Sequence, residues 1–340
     1  MTTANNGRSI SEDADAQGLG VSLGPTLRGV CDGKLGEINW FRTTWQHGGA
    51  ATGFSTWTHP DGQTTEVVVK LPVNFQEWFW TARLGAVESD QAESEAALAL
   101  PTPRVFAGGE QLAEYDLAWM VIERLGSPPL ASNLTKPALL DLLRTAAEFH
   151  ARTARIRDVR RAPRPGKEDW RAEIQKAREV CRGDRIDDAQ RWNDLLRRVE
   201  RQLDSLMARW RARPIDTWCH GDLHGHNAMR RRLREGQAGR CVLIDLALVH
   251  PGCWIEDALY LERLFWARRD HLHGVRVVQT LGRFRRELGL ATVENASDLA
   301  NVRRVLMAAT APAFLSTEGH PAHLAAALEL LERLLPVVTR

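Results

Sequence analysis

The densest group of reactive side chains lies in the segment 220–227, which reads His-Gly-Asp-Leu-His-Gly-His-Asn. A further carboxylate, Asp245, follows eighteen residues after Asn227, at the end of a short apolar run. A hard cation such as Mg²⁺ prefers carboxylate and amide oxygens, and phosphoryl transfer needs a separate carboxylate to orient the attacking hydroxyl and accept its proton. We therefore predict Asp222 as the catalytic base and Asn227 and Asp245 as the magnesium ligands.

The pattern His-Gly-Asp-x-x-x-x-Asn, followed by Ile-Asp at 244–245, resembles that of the aminoglycoside phosphotransferase and choline-kinase-like enzymes, relatives of the protein kinases. Gly221 stands where protein kinases carry Arg, and Asp245 is followed by Leu-Ala instead of Phe-Gly. These departures point away from a protein substrate. Asp257 resembles a further Asp of the family, whose role is mainly structural. The resemblance implies ATP and Mg²⁺ as cofactors, a small-molecule hydroxyl as acceptor, and a protein-kinase-like fold.

The resemblance also requires a lysine that pairs with the donor phosphates and a glutamate that holds the lysine in place. The strand-like run Val-Val-Val-Lys ends in Lys70, which we predict as that lysine, although a solvent-facing lysine on an edge strand would give the same letters. Glu77 stands where similar family members place the glutamate, and we favour it. Glu88, Glu93 and Glu95 remain possible.

Two further segments resemble the nucleotide-binding parts of that family. Gly48 and Gly49 interrupt the first two predicted strands where such enzymes have a loop over the nucleotide, and glycine lets backbone N–H groups approach phosphate closely. Two glycines in a hairpin are also an ordinary turn. The segment 120–126 resembles the hinge, where the backbone near Glu123 and Leu125 would pair with adenine. An ordinary strand that runs into a loop explains the same segment.

The elements that must position these residues change in type along the chain. Strand patterns cover three segments in the first part of the chain, namely Ile38–Trp45, Gly53–Thr58 and Val67–Leu71. A turn is predicted at 59–62 and a helix at 75–84, whereas helical spacing dominates after residue 132. The basic run at 230–234 is typical of the solvated face of a hairpin.

These patterns predict an α+β class and a two-lobed protein-kinase-like fold, with a small antiparallel β-sheet in the N-lobe and a larger, mainly helical C-lobe. We assign residues 1–25 to a disordered N-terminal tail and residues 26–125 to the nucleotide-binding N-lobe. Residues 126–340 form the C-lobe with the catalytic loop and the substrate site. ATP with Mg²⁺ is expected between the lobes.

Composition narrows the class of partner. The 45 Lys and Arg residues against 43 Asp and Glu leave a net charge of +2, which gives no electrostatic reason to expect nucleic acid or a membrane. The five cysteines are scattered without a Cys-x-x-Cys pair and are expected to be reduced. No apolar signal segment opens the chain, so a cytoplasmic enzyme is expected. Oligomeric state and the identity of the acceptor have no sequence signature here.

Three other functional classes share parts of this pattern. Residues 221–225 also spell the Gly-Asp-x-His-Gly of metallophosphoesterases, but the later Gly-Asp-x-x-Asp and Gly-Asn-His segments do not follow. The three histidines of segment 220–227 lack the spacing of a zinc site. The non-enzyme alternative is an inactive kinase fold that only binds a nucleotide or ligand. Its usual mark is loss of the lysine, the base or a metal ligand, and Lys70, Asp222, Asn227 and Asp245 are all present.

Overall fold

The computed structural model forms two compact units. It describes most of the chain, as the ranges 7–41, 50–86, 99–164, 166, 168–183, 186–232 and 238–339. The first unit comprises Met1–Ser132 and Gly225–Val249, and the second comprises Asn133–His224 and His250–Arg340. The segment Gly225–Val249 lies within the range that the sequence assigned to the C-lobe, yet its contacts group it with the first unit.

A five-stranded antiparallel sheet dominates the first unit, with strand order β1-β2-β3-β5-β4. The strands are β1 (Asn39–Phe41), β2 (Ala51–Thr58), β3 (Thr64–Val73), β4 (Val105–Gly109) and β5 (Ala118–Glu123). On β3, Val67, Val69 and Leu71 are buried in alternation, as a strand with one core face requires. The predicted turn at 59–62 closes the β2–β3 hairpin, where the Gly62 N–H donates to the His59 carbonyl oxygen at 2.9 Å.

The first unit begins with a helix, α1 (Gly7–Val30), so the disordered tail predicted for residues 1–25 is not what residues 7–25 form. Leu19, Leu23 and Leu27 recur every four residues and pack into the core on the sheet, which stabilises the helix. Because the segment as a whole is only weakly hydrophobic, the sequence did not predict this helix. Residues 1–6 lie outside the described residues.

The second unit is mainly helical. Its helices are α3 (Lys136–Ile156), α4 (Trp170–Arg182), α5 (Ala189–Arg211), α6 (Ile255–Arg263), α7 (Val277–Glu287), α8 (Ala296–Thr310), α9 (Leu315–Glu318) and α10 (Pro321–Val338). Two short strands, β6 (Thr217–Cys219) and β9 (His250–Gly252), pair antiparallel. On α5 the buried side chains include Leu196, Val199 and Leu203, which form one apolar stripe. The predicted α+β class is confirmed by this division into a sheet-bearing unit and a helical unit.

A helix and a hairpin of the first unit carry the remaining site residues. Helix α2 (Phe75–Gly85) confirms the helix predicted at 75–84, and it starts directly after β3. The hairpin consists of β7 (Ala228–Arg232) and β8 (Ala238–Leu243), with Ala228 opposite Leu243. Within the ranges given above, no helix combines the length and the apolarity that crossing a membrane would require.

Candidate active site

Lys70 and Glu77 form an ion pair between Lys70 Nζ and Glu77 Oε1. Asn74 makes this geometry possible, because its side chain accepts the Glu77 N–H at 2.7 Å and caps α2 directly after β3. The first turn of α2 therefore returns Glu77 to the strand that carries Lys70. Burial alone lowers the pKa of Lys70, but the charge and hydrogen bond of Glu77, with a contribution from Asp245, raise it overall. The ammonium group is held in its charged form.

Asn227 and Asp245 are brought to the same end of the β7–β8 hairpin. Asn227 comes just before β7, Asp245 two residues after β8, and the Ile244 N–H donates to the Asn227 carbonyl oxygen at 3.0 Å. Asp245 adopts a left-handed backbone with φ of 62°, a conformation that Asp tolerates better than most residues. The negative charge of Asp245 also acts on Lys70. The two predicted metal ligands and the predicted lysine thus lie in one unit.

Glu123 and Arg231 form a buried ion pair that the sequence did not indicate. Arg231 Nε donates to Glu123 Oε1 at 2.8 Å, and its other nitrogens donate to the carbonyl oxygens of Leu100 and Thr102. Arg231 is only 1% exposed, so the solvated-face interpretation of the basic run was wrong for this residue. The side chain of Glu123 therefore fastens the hairpin to the end of β5. This contact involves the side chain and leaves the proposed adenine pairing of the backbone as a prediction.

Asp222 lies in the second unit, on a loop whose backbone is held by Asp257. The N–H groups of His220 and Gly221 donate to the two oxygens of the Asp257 carboxylate at 2.8 and 2.9 Å. The Asp222 N–H donates to His220 Nδ1 at 3.3 Å. Asp257 sits in the first turn of α6, so one helix fixes the backbone of the two residues that precede the predicted base. This agrees with the mainly structural role expected for Asp257.

A chain of buried groups continues from Asp257 into the core of the second unit. His150 Nε2 contacts Asp257 Oδ2 at 2.9 Å, and Arg285 donates to His150 Nδ1 at 3.0 Å. Since a guanidinium can only donate, Nδ1 of His150 accepts and Nε2 carries the proton. Burial lowers the pKa of His150, against the hydrogen bond to Asp257, so the imidazole is neutral near pH 7. The pKa of Asp257 is lowered because His150 and the backbone donors outweigh the effect of burial.

The Asp222 side chain has two neighbours that sequence reasoning passed over as partners of the base. His224 Nε2 lies 3.3 Å from Asp222 Oδ1. Burial, followed by the influence of the Asp222 carboxylate, raises the pKa of Tyr260. The rings of His224 and Tyr260 stack, with centroids 6.3 Å apart and an interplanar angle of 23°. The only available signal was that Tyr260 follows Asp257 by three residues, which places both on one side of α6.

A cavity of about 460 Å³ lies in the second unit next to this loop, with Gly221 and Tyr260 in its wall. Trp170 and Phe314 supply aromatic surface to the same cavity. Glu168 is a central polar group there, because it pairs with Arg303 and accepts the Trp210 indole N–H at 3.0 Å. Sequence reasoning placed substrate contacts only broadly in the helical lobe, and these residues come from helices far apart in the chain.

Some of the predicted residues lie outside the part of the chain that the structure describes. Gly48 and Gly49 lie outside the described residues, as do the alternative glutamates Glu88, Glu93 and Glu95. Leu125 is buried just after β5. Across the residues with described positions, no group of three or more His, Cys, Asp or Glu side chains could hold a metal ion. A metal at Asn227 and Asp245 would therefore need its other ligands from phosphate oxygens and water.

Comparison with known protein families gives one match. The model of the phosphotransferase enzyme family, APH, matches residues 88–283, which is more than half of the chain. The matched range includes Asp222, Asn227, Asp245 and Asp257, and it begins after Lys70. None of the curated protein sequences compared with the chain matches it significantly.

Several solved structures resemble the model at low sequence identity. An aminoglycoside-3'-phosphotransferase of type VIII is 22% identical, with 85% of this chain and 98% of that chain covered and a TM-score of 0.40. Choline kinase from Cryptosporidium parvum Iowa II is 10% identical, with 92% and 94% covered and a TM-score of 0.45. The GDP complex of aminoglycoside 2'-phosphotransferase-IIIa is 11% identical, with 93% and 98% covered and a TM-score of 0.47.

Proposed function

The chain belongs to the phosphotransferase enzyme family, and from this premise we propose that it transfers the terminal phosphoryl group of ATP to a hydroxyl group of a small molecule. The observation that carries the proposal is the Lys70–Glu77 ion pair, which lies outside the range matched by the family model. A lysine held charged by a glutamate is what the donor phosphates of a kinase-type reaction require. The family match and this pair are independent of each other.

The reaction needs a base at the attacking oxygen, and Asp222 supplies it in this proposal. The acceptor hydroxyl gives its proton to the Asp222 carboxylate while its oxygen forms a bond to the terminal phosphorus. The bond from that phosphorus to the bridging oxygen breaks, and ADP leaves with the electron pair. Support comes from the three backbone contacts that order residues 220–222, since a base must be fixed within hydrogen-bonding reach of the proton it accepts.

The donor set at Asn227 and Asp245 fits Mg²⁺. One amide and one carboxylate are hard oxygen ligands, and Mg²⁺ in phosphoryl-transfer sites is commonly held by one or two protein groups together with phosphates and water. When bound, the ion would neutralise charge on the phosphate oxygens. The left-handed backbone at Asp245 and the Ile244–Asn227 hydrogen bond keep these two ligands at one end of the hairpin.

We propose that the acceptor binds in the cavity of the second unit, because Gly221, which precedes the base on its loop, lines that cavity. Its volume of about 460 Å³ is in the range of small-molecule sites. The wall combines aromatic surface from Trp170 and Phe314 with the ion pair of Glu168 and Arg303. A lining of this kind suits a compact hydroxylated molecule with apolar and polar edges.

The direct test is ATP consumption with Mg²⁺ across aminoglycosides, peptide and nucleoside antibiotics, choline, ethanolamine and sugars. Asp222→Ala serves as the blank, and Asp116→Ala, at an exposed position, serves as the matched control. We expect one acceptor class to be turned over by the wild type and the control but not by the blank. Silence across the panel, together with no rise in melting temperature on adding MgATP, would favour an inactive fold that binds a ligand other than ATP.

A further inference from the structure

Two side chains of the cavity wall each have a buried polar atom that makes no hydrogen bond within the described part of the chain. The atoms are Oε2 of Glu173 and Nε of Arg303, and both residues line the cavity. They are opposite in type, because a carboxylate oxygen accepts hydrogen bonds and a guanidinium N–H can only donate. Buried polar groups are nearly always bonded, so these two atoms indicate a ligand that brings both a donor and an acceptor.

Glu173 differs from the other carboxylates of the cavity wall in this respect. Each of the others has a hydrogen-bonding partner in the protein, namely Glu168, Asp169, Glu256 and Asp257. Glu173 follows Trp170 by three residues on α4, which places both side chains on the same side of that helix. A carboxylate without a cation of its own, in a wall that also offers an indole ring, suits an ammonium group.

The guanidinium group of Arg303 is held in place by three contacts. Its Cζ lies 4.6 Å from the ring centroid of Trp170 and 4.8 Å from that of Trp210, and its Nη1 donates to Glu168 Oε1. Glu168 in turn accepts the indole N–H groups of both tryptophans, at 3.2 and 3.0 Å. These contacts occupy the faces of the guanidinium and one of its nitrogens. The N–H at Nε is left for a ligand, and a carboxylate is the group that guanidinium N–H donors bind most strongly.

We propose that the acceptor is a hydroxylated amino acid, whose ammonium group binds Glu173 and whose carboxylate binds Arg303. The proposal rests on the proposed function, because it takes this cavity as the acceptor site. A free amino acid carries one charged donor and one charged acceptor, and charge-assisted hydrogen bonds are the stronger kind. Trp170 and Phe314 offer aromatic surface to its hydrocarbon part, and Gly221 places the loop of the predicted base in the same wall.

The ligand class is tested by calorimetric titration without ATP. The probes are L-serine, L-threonine, L-homoserine and L-hydroxyproline. Each is compared with the matching amino alcohol, which lacks the carboxylate, and with the matching hydroxy acid, which lacks the amine. We expect at least one amino acid to bind about 10-fold or more tightly than either of its analogues, since each analogue loses one hydrogen bond between charged groups.

Two variants identify the two contacts. Glu173→Gln should weaken binding of the amino acid and the amino alcohol about 10-fold, and it should not affect the hydroxy acid. Arg303→Lys should weaken the amino acid and the hydroxy acid instead, because lysine cannot replace the N–H at Nε. The controls are Glu179→Gln on α4 and Arg197→Lys on α5, which change exposed positions and should bind like the wild type. If Arg303→Lys did not fold, the analogues still report the carboxylate contact in the wild type.

Three results would overturn the proposal. They are no binding of any amino acid in the panel, binding no tighter than that of the two analogues, and dissociation constants that Glu173→Gln leaves unchanged. Tighter binding of kanamycin, a polycation, than of every amino acid would also overturn it, because the cavity would then select positive charge alone.

Failure of the proposed function would look different. The amino acid would bind as expected, yet no ADP would form from MgATP in its presence. Turnover of an acceptor that lacks the amine or the carboxylate, at a rate that Glu173→Gln does not change, would refute the amino acid and leave the proposed function intact.

Discussion

The ion pair of the first unit and the buried cluster of the second unit differ in what surrounds their charges. The Lys70 and Glu77 side chains keep 20% and 9% of their surface exposed, and Lys70 also feels the charge of Asp245. His150 and Asp257 keep 0% and 1%, and Asp257 accepts three hydrogen bonds. The groups that we propose to meet the donor phosphates keep part of their surface exposed, whereas the groups that bind the loop backbone are buried and fully hydrogen-bonded.

The pair of Glu123 and Arg231 shows that this contrast does not follow the division into units. It lies in the first unit, yet it resembles the His150–Asp257 cluster in being buried and in bonding the backbone. Arg231 donates to two carbonyl oxygens, whereas Asp257 accepts from two N–H groups. Burial with complete bonding therefore indicates a holding role in either unit. Under the proposed function, the charged pair that serves the reaction is the partly exposed one, Lys70–Glu77.

The largest effect on activity is expected at Asp222, the predicted base on the loop that Asp257 fixes. Asp222→Ala should lower kcat by about 10²- to 10⁴-fold, the range for loss of a general base, and leave the melting temperature nearly unchanged. The loop backbone is held by Asp257, so its fold should survive the change. Steady-state kinetics and thermal unfolding of the same preparation measure both. If the variant unfolded, Asp222 would be needed for stability, as we expect for Asp257.

Asp257→Ala should have the opposite profile. It leaves two backbone N–H groups and His150 without their acceptor, so we expect a loss of about 3–5 kcal/mol in the free energy of unfolding, as for other broken buried pairs. The control is Asp298→Ala, because Asp298 pairs with Arg209 at an exposed position and should cost less than about 1 kcal/mol. Urea unfolding measures both variants. Equal losses in the free energy of unfolding at the two positions would show that the buried contacts of Asp257 stabilise the protein no more than an exposed ion pair.

Lys70→Met tests the role of the partly exposed Lys70–Glu77 ion pair. It should raise the KM for ATP and lower kcat/KM by about 10²-fold, because a preorganised charge at the phosphates is lost. Glu77→Gln should act in the same direction with a smaller effect, because the lysine stays but loses its ionic partner. Lys34→Met changes an exposed lysine and is the matched control. Were Lys34→Met to lower kcat/KM as much as Lys70→Met, general charge and not this ion pair would be responsible.

The smallest effect concerns pH. The pKa of His150 in the folded protein is below its ordinary value of 6.5, so below that pH the unfolded chain binds the proton that the folded protein excludes. Stability from this group is complete above pH 6.5 and is lost as the pH falls, by at most about 1.4 kcal/mol per pH unit. His323, whose pKa is also lowered, adds to the slope.

Urea unfolding between pH 7.5 and 5 measures this slope. His150→Gln should reduce the slope, although it also lowers stability at every pH because the buried contacts change. The exposed His271→Gln should keep the wild-type slope. A slope that His150→Gln leaves unaltered would mean that His150 does not exclude a proton in the folded protein.

The local parts of the site could be predicted from the sequence because their geometry is set within a few residues. Lys70 near the end of β3 and Glu77 in the first turn of the next helix are seven residues apart, with Asn74 as the cap between them. The spacing of Asp222 and Asn227 likewise lies within one loop. Alternation along β3 and four-residue spacing in the later helices were enough for the α+β class.

The errors arose where long-range packing decided the outcome. The stripe of Leu19, Leu23 and Leu27 turns the expected tail into a helix only because the sheet offers it an apolar face. The basic run looked solvated because its acid, Glu123, lies 108 residues from Arg231. Neither partner can be read from the residues beside it, since the cost of burying a charge or leaving a helix face exposed depends on what the fold brings nearby.

The sequence by itself determined the order of the reactive groups and whether a strand, a helix or a loop carries each of them. These features depend on short residue spacings and on the periodicity of apolar residues. Only the tertiary structure decided the partners, namely Asp257 for the loop backbone, Arg285 for His150 and Arg231 for Glu123. Hydrogen bonds and ion pairs act over a few ångströms. His150 and Asp257, 107 residues apart, reach that distance through the packing of helices.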